Sequence, residues 1–342
     1  MLSKYVMPAL QWLLGAAVFL LFPFCSKAQV SLPPVNLGLT NFEDGVAFPG
    51  FLIEETGGNY RAGQFKDGRG QTIPGSNEAN AITSLTHIAW VSKWRILGGY
   101  FGAEVVLPAA DVHIDTSFGP RARAIGASDL IFGPAVIEWN DKKLFKRPLF
   151  QRALLDVAVP TGQYDVSSSV NIGNHLINLN PYYAFTYIPT KKIEISGRLH
   201  YLWNGKNDRP FVGLGAKSIQ PGQAFHQNLA SSYQVTHILR VGVSGYLLEQ
   251  ITDHRVNDIP LPGSRERTFA IGPGIEIHKD RLFVYLNTYF EAGVRNRPQG
   301  FMWELRVSTV IPSMLGLRAS ASPGQSDSCG IACYPAEHPW GE

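Results

Sequence analysis

Histidines and cysteines are the side chains of this 342-residue sequence most able to hold metal or act as nucleophiles, and their spacing supports neither role. None of the nine histidines has a partner four residues away, the spacing that sets two imidazoles on one helical face for zinc. Cys329 and Cys333 lie near the C-terminus with only His338 close by, too few ligands for a tetrahedral site, and in an oxidising compartment they would pair. Gly213-Leu214-Gly215-Ala216-Lys217-Ser218 lacks the glycine that precedes the lysine of a phosphate loop, and no strand-to-helix setting surrounds it. Gly242-Val243-Ser244-Gly245 misses the spacing of a nucleophile elbow. Ser196 and His200 share a mixed polar face, whereas a surface acyl hydrolase needs its pair on a lipid-facing wall. The chain reads as a non-enzyme with no cofactor and no metal.

The elements that carry these residues follow from period-two alternation, which recurs from about residue 80 to 311. Ile193, Ile195, Gly197, Leu199, Tyr201 and Trp203 fall on one face, Glu194, Ser196, Arg198, His200, Leu202 and Asn204 on the other. The same division separates Phe269, Ile271, Pro273, Ile275 and Ile277 from Ala270, Gly272, Gly274, Glu276 and His278. It separates Leu282, Val284, Leu286, Thr288 and Phe290 from Phe283, Tyr285, Asn287, Tyr289 and Glu291. Segments of this kind run about 10 to 14 residues, long for a soluble domain and enough for a tilted strand to cross a bilayer.

Twelve strands are expected, at 50–65, 80–91, 95–107, 128–139, 149–160, 177–188, 192–204, 222–235, 237–251, 266–278, 281–292 and 300–311. Their connections alternate. Long links are expected at 66–79, 108–127, 161–176, 205–221, 252–265 and 293–299, tight ones at 92–94, 189–191, around Thr236 and at 279–280, and an intermediate one at 140–148. An even strand count with short turns on one rim and long loops on the other specifies an all-β, transmembrane, antiparallel up-and-down β-barrel. Trp90, Trp94, Trp139, Tyr183, Tyr187, Tyr201, Trp203, Tyr233 and Trp303 are candidates for its interfacial girdles.

Residues 1–28, with Lys4, an apolar stretch from Ala9 to Phe24 and small residues at Ser26 and Ala28, read as a cleaved signal peptide for export to the bacterial outer membrane. Its removal takes away Lys4 and Lys27 and lowers the formal charge from +3 to +1, which leaves no electrostatic pull toward nucleic acid. Residues 29–48 lack alternation and are expected on the periplasmic side, with the further option that they plug the lumen. Residues 49–312 form the barrel, and residues 313–342, rich in Ser, Gly and Pro, read as a disordered tail.

In a barrel the mixed face points inward, so the candidate lumen-lining residues are Arg152, Asp156, Glu194, Arg198, His200, Arg240, Tyr246, Glu276, Phe283, Tyr285, Asn287, Tyr289, Glu291, Glu304 and Arg306. Both signs of charge are present in near balance, which argues against a strongly ion-selective pore. The aromatic residues on the same face suit neutral amphipathic or aromatic solutes better than hydrated ions.

Several segments resemble the outer-membrane family of the meta-pathway of phenol degradation. They are Asn41-Phe42-Glu43-Asp44-Gly45, Val159-Pro160-Thr161-Gly162-Gln163-Tyr164-Asp165, Asn171-Ile172-Gly173-Asn174 leading to Asn180-Pro181-Tyr182-Tyr183, Tyr201-Leu202-Trp203-Asn204-Gly205, Gly245-Tyr246-Leu247-Leu248-Glu249-Gln250 and Ala270-Ile271-Gly272-Pro273-Gly274. The resemblance covers most of 42–311 and implies an outer-membrane barrel, in contact with outer-membrane lipid, that moves small hydrophobic or aromatic solutes. Barrels of this kind commonly end on an aromatic residue that the outer-membrane insertion machinery reads, whereas here Val310-Ile311-Pro312 leads into the tail. The alternatives are a structural or adhesive barrel that binds a partner through its long loops, and a lipid-modifying enzyme.

Overall fold

The computed structural model describes residues 30–40, 42–119 and 121–312, so the stretch read as a signal peptide, the stretch read as a tail and Cys329 and Cys333 lie outside the described residues. Within them are sixteen strands: β1 (Gly50–Phe65), β2 (Asn77–Ile96), β3 (Gly99–Thr116), β4 (Ala122–Ala127), β5 (Leu130–Leu144), β6 (Arg147–Val159), β7 (Asn178–Thr190), β8 (Ile193–Asn204), β9 (Ile219–Gln220), β10 (Ala224–Thr236), β11 (Leu239–Gln250), β12 (Arg255–Val256), β13 (Ile259–Pro260), β14 (Arg267–Lys279), β15 (Leu282–Arg295) and β16 (Pro298–Pro312). The twelve long ones pair antiparallel with their neighbours in the sequence, and β16 pairs with β1 from Gly50↔Pro312 to Phe65↔Pro298. The sheet is therefore a closed twelve-stranded barrel. Closure is what a membrane demands, because an open edge would leave backbone N–H and C=O groups unpaired in hydrocarbon.

Alternation sets the two faces. Along β14, buried and exposed residues alternate from Thr268 to Lys279, with Phe269, Ile271, Ile275 and Ile277 turned outward and Ala270, Gly274, Glu276 and His278 inward. The same outward face continues through Leu282, Leu286 and Phe290 on β15, Trp303, Leu305 and Val307 on β16, and Ile195 and Leu199 on β8. Exposed aliphatic residues outside and buried charge inside invert a soluble protein, as lipid requires. At the short-turn rim Trp94 and Tyr233 are exposed, and Lys192 Nζ lies 5.6 Å from the Tyr233 ring. Trp90, also expected in the girdle, packs edge to face on Trp94 with ring centroids 6.1 Å apart.

Tight turns join β2–β3, β5–β6, β7–β8, β10–β11 and β14–β15 on one rim. Two are two-residue turns with positive φ at both central residues, Leu97-Gly98 (52° and 78°) and Phe145-Lys146 (49° and 65°), the sense that matches strand twist. The opposite rim carries the longer links, with two departures from expectation. The link expected at 293–299 is only Asn296-Arg297. Pro298 and Gly300 look like loop residues, but Pro298 starts the strand, where its missing N–H is harmless, and a β-carbon at Gly300 would lie 2.0 Å from the Arg61 carbonyl oxygen of β1. The link expected at 108–127 is mostly strand: β3 runs through Pro108 to Thr116 and folds back as β4. Pro108 sits where β3 changes partner from β5 (Val106↔Ile131) to β4 (Ala109↔Ala127), so its missing donor breaks no ladder.

Candidate functional site

Residues 30–40 and 42–48 lie inside the barrel, the plug arrangement, and not outside its rim. Leu32 sits near the long-loop rim against Leu202, Ala224 and Leu248, and its N–H donates to Glu266 Oε1 at 2.5 Å. The chain then descends. Asn228 takes the Gly38 N–H (2.8 Å) and donates to the Asn36 carbonyl (2.9 Å), while Tyr289 Oη donates to the Gly38 carbonyl (2.6 Å) and Arg306 to that of Leu39 (2.6 Å). Near the short-turn rim Asn140 reaches the Ala47 carbonyl at 3.4 Å, and β1 begins two residues after Phe48. These side chains satisfy an irregular backbone that water would otherwise have to solvate.

The strap is anchored by Phe42-Glu43-Asp44-Gly45. Phe42 is buried over Gly242 and Gly274, which are cross-strand partners on β11 and β14; a β-carbon on either would lie 2.9 or 3.0 Å from the ring. The two glycines thus leave a shallow seat for one aromatic ring. Glu43 pairs with the fully buried Arg240 (2.7 Å). Asp44 receives Arg198 through two bonds of 2.5 and 2.6 Å, and Arg152 donates to its carbonyl at 3.1 Å. Gly45 donates to Thr186 Oγ1 (2.8 Å), and its lack of a side chain is compulsory because a β-carbon would lie 2.6 Å from the β7 backbone. Charges this deeply buried are tolerable only when paired.

Beside the strap the lumen keeps two cavities. The upper one, about 340 Å³, is bounded by Leu37 and Leu39 of the strap and by Ala81, Leu85, Val106, Val112, Ile131, Leu202 and Met302. The lower one, about 470 Å³, is bounded by Phe42, Phe48, Ala89, Trp90, Val136, Phe283, Tyr285 and Val310. Five residues border both: Glu54, His87, Glu104, Arg198 and Arg306. They make a charged girdle between two mainly apolar chambers. Arg306 Nη1 lies 3.2 Å from Glu54 Oε1, His87 Nδ1 3.5 Å from the same oxygen, and His87 Nε2 3.4 Å from Glu104 Oε2, a chain across β16, β1, β2 and β3. At the outer rim, burial alone would raise the Glu266 carboxyl, yet Arg297 at 2.6 Å, His254 and the Leu32 amide together hold it below the ordinary carboxylate range.

All fifteen sequence candidates sit on the inward side of their strands, and the structure divides them. Arg152, Asp156, Arg198, Phe283, Tyr285, Glu304 and Arg306 border a chamber. Glu194, His200, Arg240, Tyr246, Glu276, Asn287, Tyr289 and Glu291 lie where the wall packs on the strap or on itself. Glu194 binds Ser196 and Ser232, Tyr246 donates to Glu291, Glu276 lies 2.9 Å from His278, and His200 stacks on His226 at 4.2 Å. Ser196 and His200, four residues apart on an extended strand, are separated by about 13 Å. Glu54, His87 and Glu104 were absent from the candidates, although outward Phe51 and Ile53 flanking Leu52 already imply that Glu54 points inward.

Comparison with known proteins agrees with this architecture. The fold is similar to that of an outer membrane channel from Pseudomonas putida F1, with a TM-score of 0.68 at 13% identity over 82% of this chain and 100% of that one. It is also similar to the transport unit of the autotransporter AIDA-I from Escherichia coli, with a TM-score of 0.51 at 13% identity over 81% and 94% of the two chains. No curated protein matches the sequence. A family model matches residues 62–307, most of the barrel, and the chain therefore belongs to the outer-membrane β-barrel family described as "Putative MetA-pathway of phenol degradation".

Proposed function

We propose that this protein is an outer-membrane channel that passes small hydrophobic or aromatic solutes passively through its two lumenal chambers. The observation that carries the reading is the pair of apolar cavities, about 340 and 470 Å³, separated by a girdle whose charges are already paired. An apolar cavity of about 150 Å³ is enough to hold a benzene ring, so either chamber has room for a monoaromatic solute and little need to deform. The girdle charges are engaged with one another or with Asp44 of the strap, so they offer a hydrated ion little in exchange for its water.

A solute would enter among the long loops, rest against Leu85, Val106 and Ile131, pass the girdle beside Asp44, and leave past Trp90 and Phe283 toward the short-turn rim. The strap sets the aperture, because Asp44 fixes the positions of Arg198 and Arg152. The expected partners are outer-membrane lipid around the wall, the insertion machinery during assembly and the solute itself. Liposome swelling with refolded protein, together with uptake by a deletion strain, tests the proposal: apolar and aromatic solutes should enter faster than charged solutes of the same size. Equal rates for all solutes, or none above protein-free liposomes, would overturn it.

A further inference from the structure

Besides Asn36 Oδ1 of the strap, three wall oxygens of residues bordering the upper chamber have no hydrogen-bond donor: Asp156 Oδ1, Asn178 Oδ1 and Glu304 Oε2. Their side chains are each more than nine-tenths buried. The other carboxylates on this chamber are engaged: Glu54 with Arg306 and His87, Glu104 with His87, and Asp129 with the amides of Gly162 and Asn174. Asp156 and Glu304, in contrast, have no cationic nitrogen within 4.0 Å among the described residues. Gly133 opens the space for Asp156, because a β-carbon there would lie 3.4 Å from Asp156 Oδ1 and 2.8 Å from Glu104 Cγ. Asn178 stands on β7 opposite Ala158, two residues along β6 from Asp156 and on the same face.

We propose that the upper chamber is a recognition site for solutes that carry a hydrogen-bond donor on an apolar frame, and that Asp156 and Asn178 read that donor. The inference rests on the channel reading above and adds a solute class to it. Buried acceptors without donors are costly, and a solute O–H or N–H supplies what the wall lacks. A plain hydrocarbon leaves these oxygens without a donor, and a carboxylate solute brings none to them.

Four probes of one size separate these cases: toluene, benzyl alcohol, benzylammonium and benzoate, each titrated by ligand-observed NMR against the refolded full-length barrel. Benzyl alcohol should bind about tenfold tighter than toluene, the equivalent of one well-made hydrogen bond, and benzoate weakest. Asp156→Ala should bring benzyl alcohol down to the toluene level and leave toluene unchanged. Asp156→Asn, which keeps an acceptor of the same shape, should retain the preference for the alcohol and lose any extra affinity for benzylammonium. That variant also covers the case in which the alanine protein fails to fold, as judged by heat-modifiable migration. Equal binding of toluene and benzyl alcohol, or an alcohol preference that survives Asp156→Ala, would overturn the site and leave the channel standing. No binding of any probe, with no solute-dependent swelling, would remove both.

Discussion

The lumen has two walls made from the same alternating strands and finished differently. On β7 to β15 the inward residues are complementary to the strap: Gly242 and Gly274 seat Phe42, Arg240 meets Glu43, Thr186 takes the Gly45 amide, and Asn228 and Tyr289 bind the Gly38 peptide. On β16 and β1 to β6 the inward residues Ala81, Leu85, Val106, Val112 and Ile131 have open space before them, interspersed with the charged Glu54, His87, Glu104, Asp156 and Glu304. Arg152 and Arg306 of this wall reach strap carbonyls through their guanidinium groups. Both walls carry inward charge; they differ in that the docked wall packs its inward residues on the strap, whereas the open wall leaves aliphatic patches facing empty space. Inward charge alone therefore does not mark the solute path, since Glu54, His87 and Glu104 border it as well; the path is marked by aliphatic residues with no protein against them.

The sharpest way to break this contrast is to remove the anchor. Phe42→Ala should cost the docked state about 3–5 kcal/mol, the range for deleting a buried phenylalanine, because the glycine seat is too shallow to collapse around a methyl group. The barrel itself should still form, since its ladder does not involve Phe42. The check is limited proteolysis of residues 30–48 in folded protein, which should become sensitive, together with a larger single-channel conductance. Unchanged protection would mean that Glu43 and Asp44 hold the strap unaided.

The two walls should be alike in one respect, their outer surface. Ile271→Lys, near the middle of β14 and half exposed, should lower stability in lipid by about 2–4 kcal/mol, measured by urea titration in vesicles, because it puts a charge on the hydrocarbon face. This face is the legible part of the sequence: Phe269, Ile271, Ile275 and Ile277 announce themselves by period two, and the barrel strands from about residue 80 onward follow from the same signal. The strap is legible only as an option, a lumen plug at 29–48, and its anchors are not. Phe42 and Asp44 acquire their meaning from residues some 110 to 230 positions away, and a segment held by side chains to its carbonyls leaves no periodic trace. Alternation could place Arg152 and Arg240 on the same inward side, but only the strap decides that one borders a chamber and the other is sealed.

A smaller effect tests the outer end of the docked wall. The Glu266 carboxyl is held below its ordinary value of 4.5, so its stabilisation is complete above that pH and is lost as the pH falls through the lower folded value. Acidification should loosen the Leu32 end of the strap before the barrel unfolds, and Glu266→Gln should abolish that early step. Hydrogen exchange at the Leu32 amide, followed from neutral pH downward, separates the two events.

The smallest effect on stability belongs to the open wall, and there its size is the point. Leu85 borders the upper chamber and is only half buried, so Leu85→Ala creates no new closed cavity; the space already exists. The cost should be about 1 kcal/mol or less, far below the 2–5 kcal/mol of the same change in a sealed core. The functional effect should run the other way, since three fewer carbons widen the chamber and bulkier apolar solutes should pass faster in liposome swelling. A large loss of stability would show that Leu85 packs as core and that the open wall is another docked one. A small loss with faster passage of the bulkier solute would separate the two walls by their energetics, as their contacts already do.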